Sequence, residues 1–229
     1  IAPLRYYLCN NCGNFQIGHC VDPNILFGNY LYASSTSGNL KNYFKDYVND
    51  LIIDFGLNKN SFIIEPASND GVMLQSFKDS NIRFLGIEPA SNLSKIANDR
   101  GLLTLNEFFS ENVARIVLAE HGKCDILTTN NSFAHLLDIQ DFTRGVKLLL
   151  KKDGVFCFEN SYLLSAIRGN YVDILYHEHQ NEFNIKSLQI FFKNNGLEIF
   201  DVKLTSPHGG SIRVFVQHKN GPKSISSKI

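Results

Sequence analysis

No charge of either sign dominates this sequence: Lys+Arg and Asp+Glu are 22 each, for a formal net charge of zero. No block of five or six like charges occurs either, so the clustered basic surface that nucleic-acid backbone binding needs is missing. There is no run of eighteen apolar residues to form a membrane-spanning helix. The opening "IAPLRYYLCN" lacks the charged start and apolar middle of a secretory leader. These absences predict a cytoplasmic location, with neither nucleic acid nor membrane as partner. Cysteines number five, Cys9, Cys12, Cys20, Cys124 and Cys157. An odd count spread over a chain of 229 residues suits reduced thiols better than a disulfide framework. No internal repeat or low-complexity tract is visible. The chain opens on Ile1 and closes just after a strand-like run, which leads us to expect a piece of something longer.

What is present is a soluble globular composition, 44% hydrophobic and 12% aromatic. Residues 1–39 form a distinct opening with "CNNCG" and a tract rich in Tyr, Ser, Asn and Gly. Residues 40–56 carry apolar side chains at helical spacing and close on Gly56. From residue 61 the apolar runs "SFIIE", "RFLGIE", "LLTL", "CDILTTN" and "VFCFEN" alternate with helical patterns, among them "DIQDFTRGVKLLLKKDG". That alternation predicts an α/β fold whose parallel sheet is covered on both faces. "LEIFDVKLT" and "SIRVFVQHK", joined by the short "SPHGG", predict a closing antiparallel hairpin. Five parallel strands and this hairpin match the seven-stranded, Rossmann-like sheet of class I methyltransferases. The expected organisation is a Cys-containing opening at 1–39, a cofactor-binding domain at 40–218, and the start of a tail or further domain at 219–229.

Open α/β sheets bind ligands beyond the carboxyl ends of their strands. After the first strand stands "EPASNDG", in which Glu65, Ala67, Asn69 and Gly71 are candidate cofactor contacts; Gly71 frees the backbone ahead of a helix N-terminus. After the second stands Glu88, placed to accept hydrogen bonds from a ribose diol. Asn106 and Phe108 in "NEFF" follow the third strand and could wall an adenine, and "TTNNSFAH", ending at His135, follows the fourth. Each loop alone is a weak signal; their order along one alternating pattern gives them weight.

The chain holds seven histidines, and "YHEH" sets His177 and His179 beside Tyr176 and Glu178. This is not the HExxH spacing that puts two histidines on one helical face, so a metallohydrolase is disfavoured. Taken together, "CNNCGNFQIGHCVDPNILFGNYLYASS", "EPASNDG", "GIEPA", "NNSFAH", "YHEH" and "PHGGSIRVFV" resemble, in order, the S-adenosylmethionine-dependent sugar C-methyltransferases. Those enzymes methylate C-3 of nucleotide-linked 4-keto-6-deoxy sugars. The resemblance implies S-adenosylmethionine as cofactor and a nucleotide sugar as substrate partner. It also implies that His179, Tyr176, His135 and Tyr30 or Tyr32 surround the sugar with Glu178 in support, and that Asn130 and Asn131 lie near the methionine part of the cofactor. His177 is a further candidate on the substrate side, and His208 with Gly209 is either a hairpin turn and nothing more or part of a strand edge lining the sugar pocket.

The sequence departs from that pattern in three places. The family commonly reads Glu-x-Gly at the cofactor loop, where this chain has Ala67. Family members carry a further cysteine pair that completes a zinc site, of which Cys9 and Cys12 would be half. They also continue into a second α/β domain.

Methylating a carbon beside a ketone requires removing the α proton to form an enolate. A carbon acid of pKa about 20 facing a histidine near 6.5 leaves a mismatch above roughly 15 kcal/mol. No base alone closes that gap, so donors must be aimed at the developing oxygen charge. His179 is the candidate base, its tautomer set by Glu178 or a backbone group, and Tyr176 and His135 are the candidate donors. His177 and His179 share a face only if the segment is extended. Two other classes remain compatible: a nicotinamide-dependent oxidoreductase, disfavoured because "EPASNDG" is not GxGxxG, and a binding module without catalytic activity. A methyltransferase acting on another small acceptor is the nearest enzymatic alternative.

Overall fold

The computed structural model describes residues 2–227 and 229. Strands β1 (Tyr6–Leu8) and β2 (Phe15–Ile17) pair antiparallel across the cysteine turn. A short helix α1 (Pro23–Phe27) follows, capped by Asp22, whose side chain accepts from the Asn24 amide. Helix α2 (Gly38–Phe55) starts where Ser37 caps the Leu40 amide and stops at Gly56, whose φ of 64° gives the left-handed turn that glycine tolerates best. It buries Phe44, Tyr47, Val48 and Leu51, an i, i+3, i+4, i+7 stripe.

The alternating pattern then runs β3 (Phe62–Pro66), α3 (Val72–Asp79), β4 (Arg83–Ile87), α4 (Ser91–Asp99), β5 (Thr104–Leu105), α5 (Glu111–His121), β6 (Cys124–Asn130), α6 (Ile139–Leu149) and β7 (Leu150–Ser161). The chain continues through α7 (Leu163–Gly169), β8 (Asn181–Glu182), α8 (Ile185–Asn194), β9 (Leu197–Thr205) and β10 (Ser211–His218). The main sheet has the order β5-β4-β3-β6-β7-β10-β9. Its first five strands are parallel, and β10 runs antiparallel to both neighbours. This is the expected Rossmann-like methyltransferase sheet with its hairpin. The helical reading through Gly154 overshoots: α6 ends at Leu149, because Leu150 already pairs with Cys124 as β7 begins.

The sheet is buried on both faces, which is why β3 is buried along its whole length. Phe156 and Phe158 of β7 join the core formed by α5, α6 and α8. The alternate residues Val155 and Cys157 join the core of α2 and α3. Chain order reverses between β3 and β6, and the crevice opens at the carboxyl ends of those two strands.

The opening segment also reaches the later half of the chain. β2 pairs with β8 in a three-stranded sheet of order β1-β2-β8, which ties residues 6–17 to the segment just after "YHEH". At the other end, the amide of Ser226 donates to Phe200 O, so the tail runs beside β9.

Candidate active site

A cavity of about 910 Å³ lies over the carboxyl ends of β3, β4, β6 and β7. Its floor is acidic. Glu65 closes β3 at 4% exposure, and Oε2 of its carboxylate has no partner among the described residues. Burial, reinforced by Glu88 and Asp70, raises the Glu65 pKa well above the usual carboxylate range. The Glu88 carboxylate accepts from the amides of Asn69 and Ala90, each at 2.8 Å, which leaves each oxygen a further lone pair for a ligand donor. Its pKa is raised by burial, and the two amides act against that shift.

The loop between these carboxylates turns through left-handed residues, Ala67 at φ 56° and Asn69 at φ 52°. Ala67 thus keeps the backbone shape that a glycine would adopt at this place, and its amide donates to Ile87 O at 2.7 Å. Ala67, Asn69, Phe108, Asn130 and Asn131 all line the cavity. Gly71 and Asn106 are not among the lining residues and support the loop from behind. A Cβ on Gly71 would meet Leu102 Cδ1 at 2.5 Å. The Asn106 side-chain amide donates to Glu88 O and Pro89 O.

The opening segment is stitched over this loop. Asn69 accepts from the Ser34 amide and donates to Tyr32 O, while Asn92 exchanges two hydrogen bonds with the backbone of Tyr30. Tyr30 and Tyr32 therefore both reach the cavity. Tyr30 donates its hydroxyl to Glu178 at 3.0 Å, and burial followed by the Glu178 charge raises its pKa.

Opposite the acidic floor stand the two histidines, His135 and His179, with ring centroids 5.1 Å apart. Tyr176 lies 4.4 Å from the His179 ring, and Phe27 stacks on His135 at 5.4 Å. "YHEH" is a turn rather than an extended segment, since the His179 amide donates to Tyr176 O at 3.1 Å. That turn brings Tyr176 and His179 to the cavity together and sends His177 away, where its Nε2 meets Ala2 O at 3.1 Å. His179 Nδ1 lies 2.7 Å from Oε1 of Glu182, a fully buried residue of β8. Glu178, one of the two expected partners alongside a backbone group, is engaged with Tyr30 instead. Tyr6 braces the turn by donating to the carbonyls of His179 and Tyr176. Burial lowers the His135 pKa to about 3, with His179 adding to the shift, so His135 is neutral at physiological pH. Tyr176 is pushed up to about 12 by burial and the Glu178 and Glu182 charges, and stays a phenol.

At the far wall His208 lines the cavity in a left-handed turn at φ 53°. Gly209 lies behind it, where a Cβ would meet the Tyr171 ring at 2.7 Å. Lining residues that the loop-by-loop reading missed include Phe27, Asp138, Asn160, Ser161 and Asp173. Asn160 and Ser161 end β7, so attention to the carboxyl end of each strand, carried one strand further, would have found them. Cys9 and Cys12 lie outside the cavity, and no cluster of three His, Cys, Asp or Glu side chains able to hold a metal occurs among the described residues. Zinc thus finds no support there.

Fold and cleft together define a Rossmann-like sheet whose acidic switch-point pocket is covered by an aromatic segment. Residues 40–202 match the family described as a methyltransferase domain, and the chain belongs to that family. It is 34% identical over 215 residues to the C-methyltransferase NovU of Streptomyces niveus, covering 94% of this chain. The chain spans 51% of that relative's length. Among solved structures, an S-adenosylmethionine-dependent methyltransferase of Clostridium acetobutylicum aligns with TM-score 0.60 and 13% identity, over 78% of this chain and 92% of that one. The PH0226 protein of Pyrococcus horikoshii aligns with TM-score 0.62 and 11% identity, over 87% and 97%. Magnesium protoporphyrin IX methyltransferase of Synechocystis, solved with bound S-adenosylhomocysteine, aligns with TM-score 0.56 and 12% identity, over 77% and 82%. At these identities the structural likeness shows the fold.

Proposed function

We propose that this chain forms the core of an S-adenosylmethionine-dependent C-methyltransferase, acting on a carbon next to the ketone of a nucleotide-linked deoxy sugar. Family membership and the likeness to a C-methyltransferase support the reaction class. The resemblance of the ordered motifs supports the sugar. The observation that carries the reading is His179, which lines the same cavity as the acidic floor and is backed by the buried Glu182 at 2.7 Å from its Nδ1.

The floor suits the cofactor. Glu65, with an orphaned buried oxygen, and Glu88, with lone pairs to spare, offer acceptors to an ammonium group and a ribose diol. Phe108 offers an apolar wall to a base. When bound, the cofactor supplies an electrophilic methyl group on a sulfonium.

The chain's own residues prepare the nucleophile. Glu182 accepts from Nδ1–H of His179, which leaves Nε2 with its lone pair free to take the α proton. The electron pair of the broken C–H bond moves onto the ketone oxygen. Tyr176, held as a phenol, and His135, held neutral, are the donors to that oxygen. These residues thus ready the enolate carbon as the atom that would accept the methyl group the cofactor would supply, the former C–S bonding pair staying on sulfur. Tyr30, Tyr32 and Phe27 cover the cavity and limit water.

The test is solvent exchange of the acceptor α proton. His179→Asn should abolish exchange while S-adenosylhomocysteine affinity stays within about twofold. Retained exchange removes His179 from the role of base. Calorimetric binding of S-adenosylhomocysteine, with NADH as control, separates the methyltransferase from both an oxidoreductase and a silent module. Ala67 does not favour the silent module, because the loop keeps its left-handed turn with the methyl group in place.

A further inference from the structure

Asn160 is 2% exposed and lines the cavity, yet its side-chain Oδ1 has no hydrogen-bond partner among the described residues. Buried amides are normally satisfied, so an orphan aimed into a cavity points to a ligand that completes it. Strand alternation decides which ligand. Along β7, Cys157 and Glu159 face α2, where Tyr47 and Tyr43 meet them. Phe156 and Phe158 face the other way, toward Phe133, whose ring lies 4.5 Å from that of Phe158. Asn160, two residues beyond Phe158, continues on that face. Phe133 opens the short helical turn Phe133–His135, so Asn160 shares its side of the sheet with His135. Asn130 sits on the opposite face: its amide reaches Met73 of α3, and Glu65, two residues after the α3-facing Ile63, lies on that side too.

We propose that Asn160 is a substrate-binding residue that hydrogen-bonds the hydroxyl and carbonyl oxygens of an α-hydroxy ketone in the methyl acceptor, which rests on the methyltransferase reading above. A side-chain amide carries both a donor and an acceptor, so it meets a hydroxyl and its neighbouring ketone at once. A lone carbonyl or an apolar acceptor leaves half of it unpaired.

The proposal is tested by titrating wild type, Asn160→Ala and Asn160→Leu with two probes, S-adenosylhomocysteine and thymidine diphosphate-linked 4-keto-6-deoxyglucose. The expected result is unchanged affinity for the first, within about twofold, and at least about tenfold weaker binding of the second. Unliganded Asn160→Leu should melt at or above wild type, since it removes an unpaired polar group. Equal loss for both probes would assign Asn160 to the cofactor and overturn the proposal. Unchanged binding of the keto sugar, or a Leu variant that melts well below wild type, overturns it too. A wild type that holds S-adenosylhomocysteine and ignores the keto sugar also overturns it. Wild type that does not hold S-adenosylhomocysteine sinks the methyltransferase reading itself, a separate result.

Discussion

Glu182, fully buried on the two-residue strand β8, lies 2.7 Å from Nδ1 of His179 and so fixes which ring nitrogen of that histidine faces the cavity. The strand is held by β2, where Phe15 pairs with Glu182. The amino-terminal hairpin therefore sets the aim of a side chain far along the chain. Burial raises the Glu182 pKa, and the hydrogen bond and charge of His179 work against that shift.

Glu182→Gln keeps the size of the side chain and removes the charge that selects the tautomer. An amide can also donate to Nδ1, which would place the proton on Nε2 and silence His179 in its proposed role as base. Exchange of the acceptor α proton should slow by about 10–100-fold, the usual cost of losing an orienting partner. S-adenosylhomocysteine affinity should not change. Exchange at the wild-type rate would mean that tautomer control lies elsewhere.

His135 gives a pH prediction with a definite sign. Its folded pKa, about 3, lies below the unfolded value near 6.5, so the unfolded chain binds the extra proton in between. Stability from this group is complete above about pH 6.5 and is lost as pH falls toward 3, by up to about 1.4 kcal/mol per unit. The buried carboxyls Glu65, Glu88 and Glu182, whose folded pKa values are raised, act in the opposite sense. The comparison with His135→Asn isolates the histidine: the variant should lose about one proton of linkage between pH 4 and 6 in urea unfolding. Parallel curves for the two proteins would refute a depressed His135.

The main sheet was legible because its strands are short apolar runs bounded by helical spacing, and "LEIFDVKLT" with "SIRVFVQHK" could hardly be other than a hairpin. The cavity floor was legible for the same reason, since Glu65 and Glu88 sit at strand ends. The partner of His179 was not. Asn181 and Glu182 are too short a strand to carry a period, and proximity in sequence favoured Glu178. The turn at Tyr176–His179 reverses that preference by sending Glu178 to Tyr30. Gly71, Asn106 and Gly209 show a second limit. A position beside a ligand loop can be kept by packing behind it, and spacing along the chain does not separate the two.

Ala67 at φ 56° carries a Cβ in a region that costs an L-residue roughly 1–2 kcal/mol. Glycine relieves that strain and returns about 0.4–1 kcal/mol of it as extra freedom in the unfolded chain. Ala67→Gly should therefore stabilise the fold by about 0.5–1 kcal/mol in chemical denaturation. S-adenosylhomocysteine affinity should hold or improve, because the methyl group leaves the cavity wall. A weaker complex would show that this methyl group is a contact.

Beneath the cavity, Arg213 and Glu159 form a buried ion pair, Nε to Oε2 at 3.0 Å, at 3% and 2% exposure. Tyr43 donates to the other Glu159 oxygen at 2.5 Å, and the guanidinium lies 3.2 Å above the Tyr47 ring. The pair locks α2 to β7 and β10 beside Asn160, the next residue along β7. Arg213→Met strands the carboxylate without its countercharge and should cost about 3–5 kcal/mol in urea unfolding. Adding Glu159→Met should recover much of that loss, since two apolar side chains of similar volume need no countercharge. Were the double variant as unstable as the single one, shape rather than charge would be what this pair contributes, and the strand end carrying Asn160 would owe its position to packing alone.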